Sequence, residues 1–382
     1  MNIQQVRIVR LAIPFSAGQR KLAAVQDSDK YNGASPNIKK METLLVCVET
    51  DNGMVGWGEA FGHGSNSVTF TALEQLVAPL FLGKSLDNYE QVLYDAKRAL
   101  HSFGTSGPML YGLSAIDTAV WDIKAKLANQ PLYQYLGGTN GHINLYASLV
   151  SFGNDPIAVA EQVTKTHQAG FAKIKLHEKA PAAIAAARAA LPKDAELMVD
   201  VNCPWNLDQA KAIVEEIKTL QLGWLEEPIW PPENATDLAQ LRGLGVPLSG
   251  GENASGPEGF EALFNAGAID IAQPSVAKIG GITGMLDVLA RAKAHHVRVV
   301  PHCFYYGAGL LATAHIVAAL TPNESAEIPY IELESHLHPI TRFQPNFDLG
   351  DKPGLGFDPD PRLIEQYLIA EATLSNTKPI QQ

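Results

Sequence analysis

Cysteine is scarce in this chain of 382 residues: Cys47, Cys203 and Cys303 lie far apart, with no CxxC pair. That excludes a disulfide framework and a structural zinc site. Excess positive charge is missing too. Lys and Arg number 29 against 40 Asp and Glu, a net charge of −11. With no basic stripe, nothing offers the phosphate contacts that nucleic acid requires, and an acidic surface gives no reason to expect a membrane partner. Long apolar runs are also lacking. The longest, Leu310 to Leu320, holds His315 and falls short of the ~20 residues that span a bilayer. Met1 to Phe15 has neither a continuous apolar segment nor a small-residue cleavage pattern, so no secretory signal is expected there. No GxSxG occurs, no Cys has a His partner at a known spacing, and no GxGxxG opens a first βα unit. Acyl-enzyme hydrolysis and dinucleotide binding lose their usual supports. A reduced, cytoplasmic protein is expected.

What the chain does have is core. Its hydrophobic share of 46% and aromatic share of 8% argue against disorder. The length predicts two to three domains, or one large α/β barrel with an attachment. Val6 to Pro14, Thr43 to Glu49 and Val55 to Glu59 read as strands, the last two joined by a turn at Asp51-Asn52-Gly53. Between Tyr111 and Leu127, Leu113, Ile116, Ala119, Val120, Ile123 and Leu127 recur at helical spacing. A compact α+β domain is therefore expected over residues 1–130. From about residue 140, short β-branched runs alternate with Ala-rich amphipathic stretches. The runs are His142–Leu149, Ala172–Leu176, Leu197–Val201, Gly223–Glu226, Val246–Leu248, Ile269–Gln273, Arg298–Val300 and Pro329–Leu333. Eight strands with helices between them predict a parallel (β/α) barrel over 131–340, ahead of an open doubly wound sheet. The tail, 341–382, is Pro/Gly/Asp-rich and then helical at Arg362 to Ala372; it is expected to pack back on the first domain.

In a barrel, catalytic side chains come from the C-terminal ends of several strands and converge on one mouth. Lys175, Asp200, Glu226, Glu252 and His302 close successive runs at intervals of 25, 26, 26 and 50 residues, the last spanning two units, with the skipped strand ending near Ser275. Asp200, Glu226 and Glu252 each follow apolar residues. Three ionised carboxylates in one cleft repel, and a divalent cation relieves this. An all-oxygen donor set without Cys or His favours Mg²⁺ over zinc or copper. Lys173 and Lys175 flank Ile174 in a strand and so share one face. Two adjacent ammonium groups disfavour each other's charge, which would tune Lys175 as a general base. His302 stands across the barrel as the partner acid or base. His177 has the parity to face the mouth, with no stronger signal. Gly280-Gly281-Ile-Thr opens a helix and reads as a tight βα turn rather than a phosphate cradle.

These residues resemble the enolase superfamily, in its mandelate racemase-like branch. The matching stretches are Lys173-Ile-Lys175, Asp200-Val-Asn202, Trp224-Leu-Glu226-Glu227-Pro228, Gly251-Glu252-Asn253, Lys278-Ile-Gly-Gly281 and Pro301-His302, with Gly56-Trp-Gly-Glu-Ala60 and Ser114 to Ile123 upstream. The resemblance implies an α+β cap over a modified (β/α)₇β barrel. It implies Mg²⁺ on Asp200, Glu226 and Glu252, with Lys175 and His302 as acid/base groups on opposite faces of a carboxylate substrate. It further implies that Lys173 lowers the pKa of Lys175, that Asn202 lies beside the metal, and that Glu332 takes the eighth strand's acid position. One departure stands out. The sixth strand ends in Gln273-Pro-Ser275, where relatives carry an Asp that supports the His, or a Lys. Without that carboxylate, His302 is expected to serve mainly as acid and Lys175 as the base.

The activity so implied is removal of the proton α to a carboxylate, through an enediolate. One-way traffic favours β-elimination on an acid sugar, either dehydration or ring opening of a lactone or anhydro-sugar acid. The alternatives are a racemase or epimerase of an α-hydroxy or α-amino acid, and a catalytically inert barrel that only binds acid sugars. The polar segment Gln19 to Asn37, with Arg20, Lys21 and Tyr31, and the loop Phe61 to Asn66, with His63, stand where the family covers its substrate. The expected partner is a small-molecule carboxylate, with the chain itself a homo-oligomer.

Overall fold

The computed structural model describes residues 1–18, 33–35, 37–104 and 106–376. The first strands, β1 (Ile3–Ser16), β2 (Lys40–Thr50) and β3 (Val55–Ala60), form an antiparallel meander. Gly53, at φ 81°, turns the β2–β3 hairpin, a conformation that glycine adopts without steric cost. Against this sheet packs the helix Pro108–Leu127, which begins with Pro at its first turn, where the missing N–H costs nothing. Leu113, Ile116, Ala119, Val120 and Ile123 are buried in that contact. Strand and helix approach closely because β3 carries Gly56 and Gly58. A Cβ at Gly58 would lie 1.9 Å from the Ala115 carbonyl oxygen, and one at Gly56 2.1 Å from that of Ala119. Gly58→Ala should accordingly destabilise the cap by the roughly 1–3 kcal/mol typical of overpacking, or more; chemical denaturation measures it, and an unchanged midpoint would refute the tight contact.

The second half is a curled parallel sheet of eight strands: β4 (His142–Ser148), β5 (Lys173–Leu176), β6 (Glu196–Asp200), β7 (Leu225–Glu226), β8 (Leu248–Gly250), β9 (Ile271–Ala272), β10 (Arg298–Val299) and β11 (Ser325–Pro329). A helix follows each of the first seven, and β11 returns to pair with β4. At the β10–β11 seam the Cys303 N–H donates to Glu327 at 2.8 Å. Outward-facing Ile174, Leu176, Leu197, Val199 and Leu225 pack into the large core beneath the helices. Inside, Tyr146, Met198, Trp224, Ile271 and Val300 form an apolar plug of their own. The barrel mouth is therefore polar only above that floor.

Beyond the barrel, β12 (Glu332–Leu333) pairs with the end of β1, β13 (Asn346–Asp348) with the start of β4, and β14 (Leu368–Ser375) runs antiparallel along β1. Two expectations are corrected. The eighth barrel strand is Ser325–Pro329, and Pro329–Leu333 leads out of the barrel to the cap. The tail helix ends at Tyr367. Ala and Leu favour helix over 368–372, but the free edge of β1 offers a ladder of backbone partners, and that tertiary demand overrides propensity. Among the described residues, no helix is long and apolar enough to cross a membrane.

Candidate active site and metal centre

Strand register decides which side chains reach the mouth. Asp200 and Glu226 are direct partners across β6 and β7. Across β5 and β6, however, Lys175 is level with Met198 and Leu176 with Val199, so the next residue, His177, is level with Asp200. Lys173, Lys175 and His177 all point inward at the strand period of two, on three successive layers. Lys173 lies lowest, 30% exposed, with its Nζ 3.3 Å from Glu196. Lys175 is fully buried one layer beneath the carboxylates. Its Nζ stands 2.8 Å from Glu327, 3.1 Å from Glu226 and 3.6 Å from Asp200.

The expected Lys173–Lys175 pair is thereby replaced by two separate ion pairs. Burial alone would lower the Lys175 pKa, but Glu226, Glu327 and Asp200 override it and hold the ammonium well above the ordinary lysine value. So held, Lys175 is charged and does not line the cleft. Glu332, the expected eighth-strand acid, is exposed on β12 beside Ser16 Oγ at 3.3 Å. The buried acid of the eighth strand is Glu327. Residues Arg20, Lys21 and Tyr31 lie outside the described residues.

Three carboxylates do converge. Oxygen atoms of Asp200, Glu226 and Glu252 all lie within 4.8 Å of one another. The Asn202 N–H donates to Asp200 at 3.0 Å. Trp224 Nε1–H and Gln273 Nε2–H hold Glu226 Oε2 at 3.0 and 2.8 Å. Burial and neighbouring Asp200 push Glu226 well above the usual carboxylate range, whereas His302 and Lys278 overcome burial to hold Glu252 well below it; at Glu226 the crowded negative charge is not met by the protein alone. Hard oxygen donors, close approach and this unmet charge fit a divalent cation of the Mg²⁺ kind.

Above the carboxylates opens a cleft of about 1130 Å³ lined by Phe61, His63, Tyr111, His177, Asp200, Asn202, Glu252, Lys278, His302 and Phe304, among others. His63 is part of this wall as expected; burial, with Lys278 and His302 nearby, lowers its pKa to about 3, so its ring is neutral. His177 and His302 enter from β5 and β10 and differ in their hydrogen bonds. His177 Nδ1 meets the Leu149 carbonyl, which only accepts. Nδ1 therefore carries a proton, and Nε2, 3.2 Å from the Asp200 carboxylate, donates to it as well, a contact that helps hold Asp200 below its usual range. His302 differs at its other nitrogen. Its Nε2 stands 2.6 Å from Glu252, while its buried Nδ1 has no hydrogen-bond partner among the described residues. Ser275, on the neighbouring strand end, is committed to the Tyr305 hydroxyl. A neutral His302 thus carries its proton on Nε2.

Two groups escaped the sequence reading. His177 had only its parity as a signal, and Lys278, within the Lys278-Ile-Gly-Gly281 stretch, projects into the cleft from the loop after β9. The helix N-terminus at Gly281 takes the Asp117 carboxylate through Thr283 N–H at 2.8 Å, so its anion site is filled by the protein itself.

Residues 158–363 match the family model described as enolase C-terminal domain-like, and residues 25–137 match the mandelate racemase/muconate lactonizing enzyme N-terminal domain. The chain is 31% identical over 304 residues to a D-galactarolactone cycloisomerase from Agrobacterium fabrum, covering 77% of this chain and 79% of the relative. It is 26% identical over 344 residues to an arabinonate dehydratase from Saccharolobus solfataricus, covering 86% and 91%. In fold it superposes on the crystal structure of a racemase from Streptomyces coelicolor A3(2) with bound magnesium, at a TM-score of 0.81 and 23% identity over 96% of this chain and 100% of that one. With the carboxylate triad, the parallel barrel and both domain matches in place, this chain belongs to the mandelate racemase/muconate lactonizing enzyme family of enolase-type proteins.

Proposed function

We propose that the protein is a Mg²⁺-dependent sugar-acid enzyme that removes the proton α to the carboxylate and expels the β oxygen, as a dehydratase or a cycloisomerase. The observation that carries this reading is a pair of imidazoles on either side of one carboxylate triad. His177 stands against Asp200 with its Nδ1–H fixed on Leu149 O, and His302 stands against Glu252 with no carboxylate behind its Nδ1. The similarity to a galactarolactone cycloisomerase and an arabinonate dehydratase supports the substrate class.

A cation held by Asp200, Glu226 and Glu252 would supply the positive charge that offsets charge gathering on the substrate carboxylate as the α proton leaves. With Asp200 turned to that cation, His177 Nε2 would be released to take the α proton, its Nδ1–H anchored on Leu149 O so that the ring keeps its aim. His302 Nε2–H gives its proton to the departing oxygen, a hydroxyl in dehydration or a ring oxygen in cycloisomerisation. Phe61, Tyr111 and Phe304 wall the cleft, and His63 and Asn202 offer polar contacts to the sugar hydroxyls. Racemisation needs both imidazoles to serve as base, and the absence of a carboxylate behind His302 disfavours that.

Incubation with acid sugars and their lactones should yield 2-keto acid, or the ring-opened isomer, only with Mg²⁺ present. Glu226→Gln should lose metal binding and turnover while retaining the native circular dichroism spectrum. Full turnover in excess EDTA would refute the metal assignment. Equal deuterium incorporation from both faces of the substrate, without net loss, would turn the reading to racemisation.

A further inference from the structure

The cap reaches the active-site loop of the barrel directly. Residues 273–283, following β9, are joined to it at successive points. Phe61 N–H donates to the Ala277 carbonyl at 3.4 Å, and Gly280 N–H to Ser114 Oγ at 2.8 Å. Thr283 gives both its N–H, at 2.8 Å, and its hydroxyl, at 2.7 Å, to the Asp117 carboxylate. Trp121 Nε1–H donates to Thr283 Oγ1 at 2.9 Å. Asp117 is fully buried, and a Cβ on Gly281 would stand 2.4 Å from its Oδ2. Between these points lies Lys278. Its ammonium donates to Glu252 Oε1 at 3.1 Å and Asn253 Oδ1 at 3.0 Å, and stands 4.0 Å from the centre of the Phe61 ring. One oxygen of a metal ligand is thus held by a lysine whose loop is held by the cap.

We infer that Asp117 is a positioning residue for the metal centre: by latching the 275–283 loop to the cap it sets Lys278 on Glu252, and with it the orientation of that ligand. This rests on the reading of Asp200, Glu226 and Glu252 as metal ligands. Residues that hold metal ligands from outside typically matter 10–100-fold in affinity. The same helix supplies a matched control. Asp122 is equally buried and accepts from Trp57 N–H at 2.9 Å, Leu355 N–H at 2.7 Å and Lys126 at 2.8 Å. Those bonds join cap strand and C-terminal segment without touching the loop.

Mn²⁺ titration of the full-length protein, followed by electron paramagnetic resonance with thermal unfolding in parallel, separates the two roles. Asp117→Ala is expected to weaken Mn²⁺ binding about tenfold or more, whereas Asp122→Ala should lower the unfolding temperature yet bind Mn²⁺ as the unmutated protein does. Thr283→Val removes the hydroxyl's bonds to Asp117 and Trp121 but keeps the N–H bond to Asp117, so a smaller loss in the same direction is expected from it, and it serves where Asp117→Ala fails to fold. Equal Mn²⁺ affinity in the latch variants and in Asp122→Ala overturns the inference. Failure of the unmutated protein to bind Mn²⁺ more tightly than Glu226→Gln overturns the metal reading beneath it.

Discussion

His177→Gln is expected to abolish exchange of the substrate α proton with D₂O and to lower kcat by at least the 10²–10⁴-fold typical of a general base. Glutamine keeps the length and can still reach Leu149 O, but it has no basic nitrogen to accept the proton. His302→Asn should behave differently. It slows elimination by a similar factor, yet exchange on the His177 side persists, because abstraction does not pass through His302. Nuclear magnetic resonance in D₂O reads both variants. If His302→Asn lost all exchange while His177→Gln kept it, base and acid would be exchanged. If neither variant affected exchange, the base would be another group.

The second large effect concerns stability rather than turnover. Lys175→Met should cost the roughly 3–5 kcal/mol seen when one partner of a buried ion pair is removed. Glu226, Glu327 and Asp200 then lose the only ammonium within 4 Å of them among the described residues. Added Mg²⁺ should recover part of that loss by mass action on the native state, but not the share due to Glu327, which is no ligand. Urea denaturation with and without Mg²⁺ measures both terms. A variant as stable as the parent, yet unable to exchange the α proton, would restore Lys175 as the base.

Much of the site could be read from local pattern. Asp200, Glu226 and Glu252 were recognisable because each ends an apolar β-rich run, and the βα repeat spaces such ends evenly. The capping helix announced itself by its 3.6-residue period, and His302 by its place at the close of the seventh run. The depth of Lys175 was hidden for a physical reason. Its interval of 25 residues to Asp200 matches the later repeats of 26, but a barrel's strands are staggered, and sequence intervals include helices and loops of variable length. Only the β5–β6 pairing shows that Lys175 lies level with Met198, one layer too deep, and that His177 stands beside Asp200.

The eighth strand shows the same limit. Ser325–Pro329 and Glu332–Leu333 are both short and apolar-rich, and nothing local distinguishes the one that closes the barrel on β4 from the one that joins β1 of the cap. The tail strand β14 likewise exists because β1 has an open edge far away in sequence.

The amino-acid order by itself determined the fold class, the three carboxylates that converge and the histidine opposite them, since each depends on strand periodicity and on residue chemistry at strand ends. The tertiary structure decided which residue of the Lys-Ile-Lys-Leu-His run lines the cleft, which acid sits on the closing strand, and how the cap holds the loop of Lys278. Those depend on register and on contacts between segments more than 100 residues apart, such as Asp117 and Thr283. No local propensity encodes them, because their energy exists only once both partners are buried together.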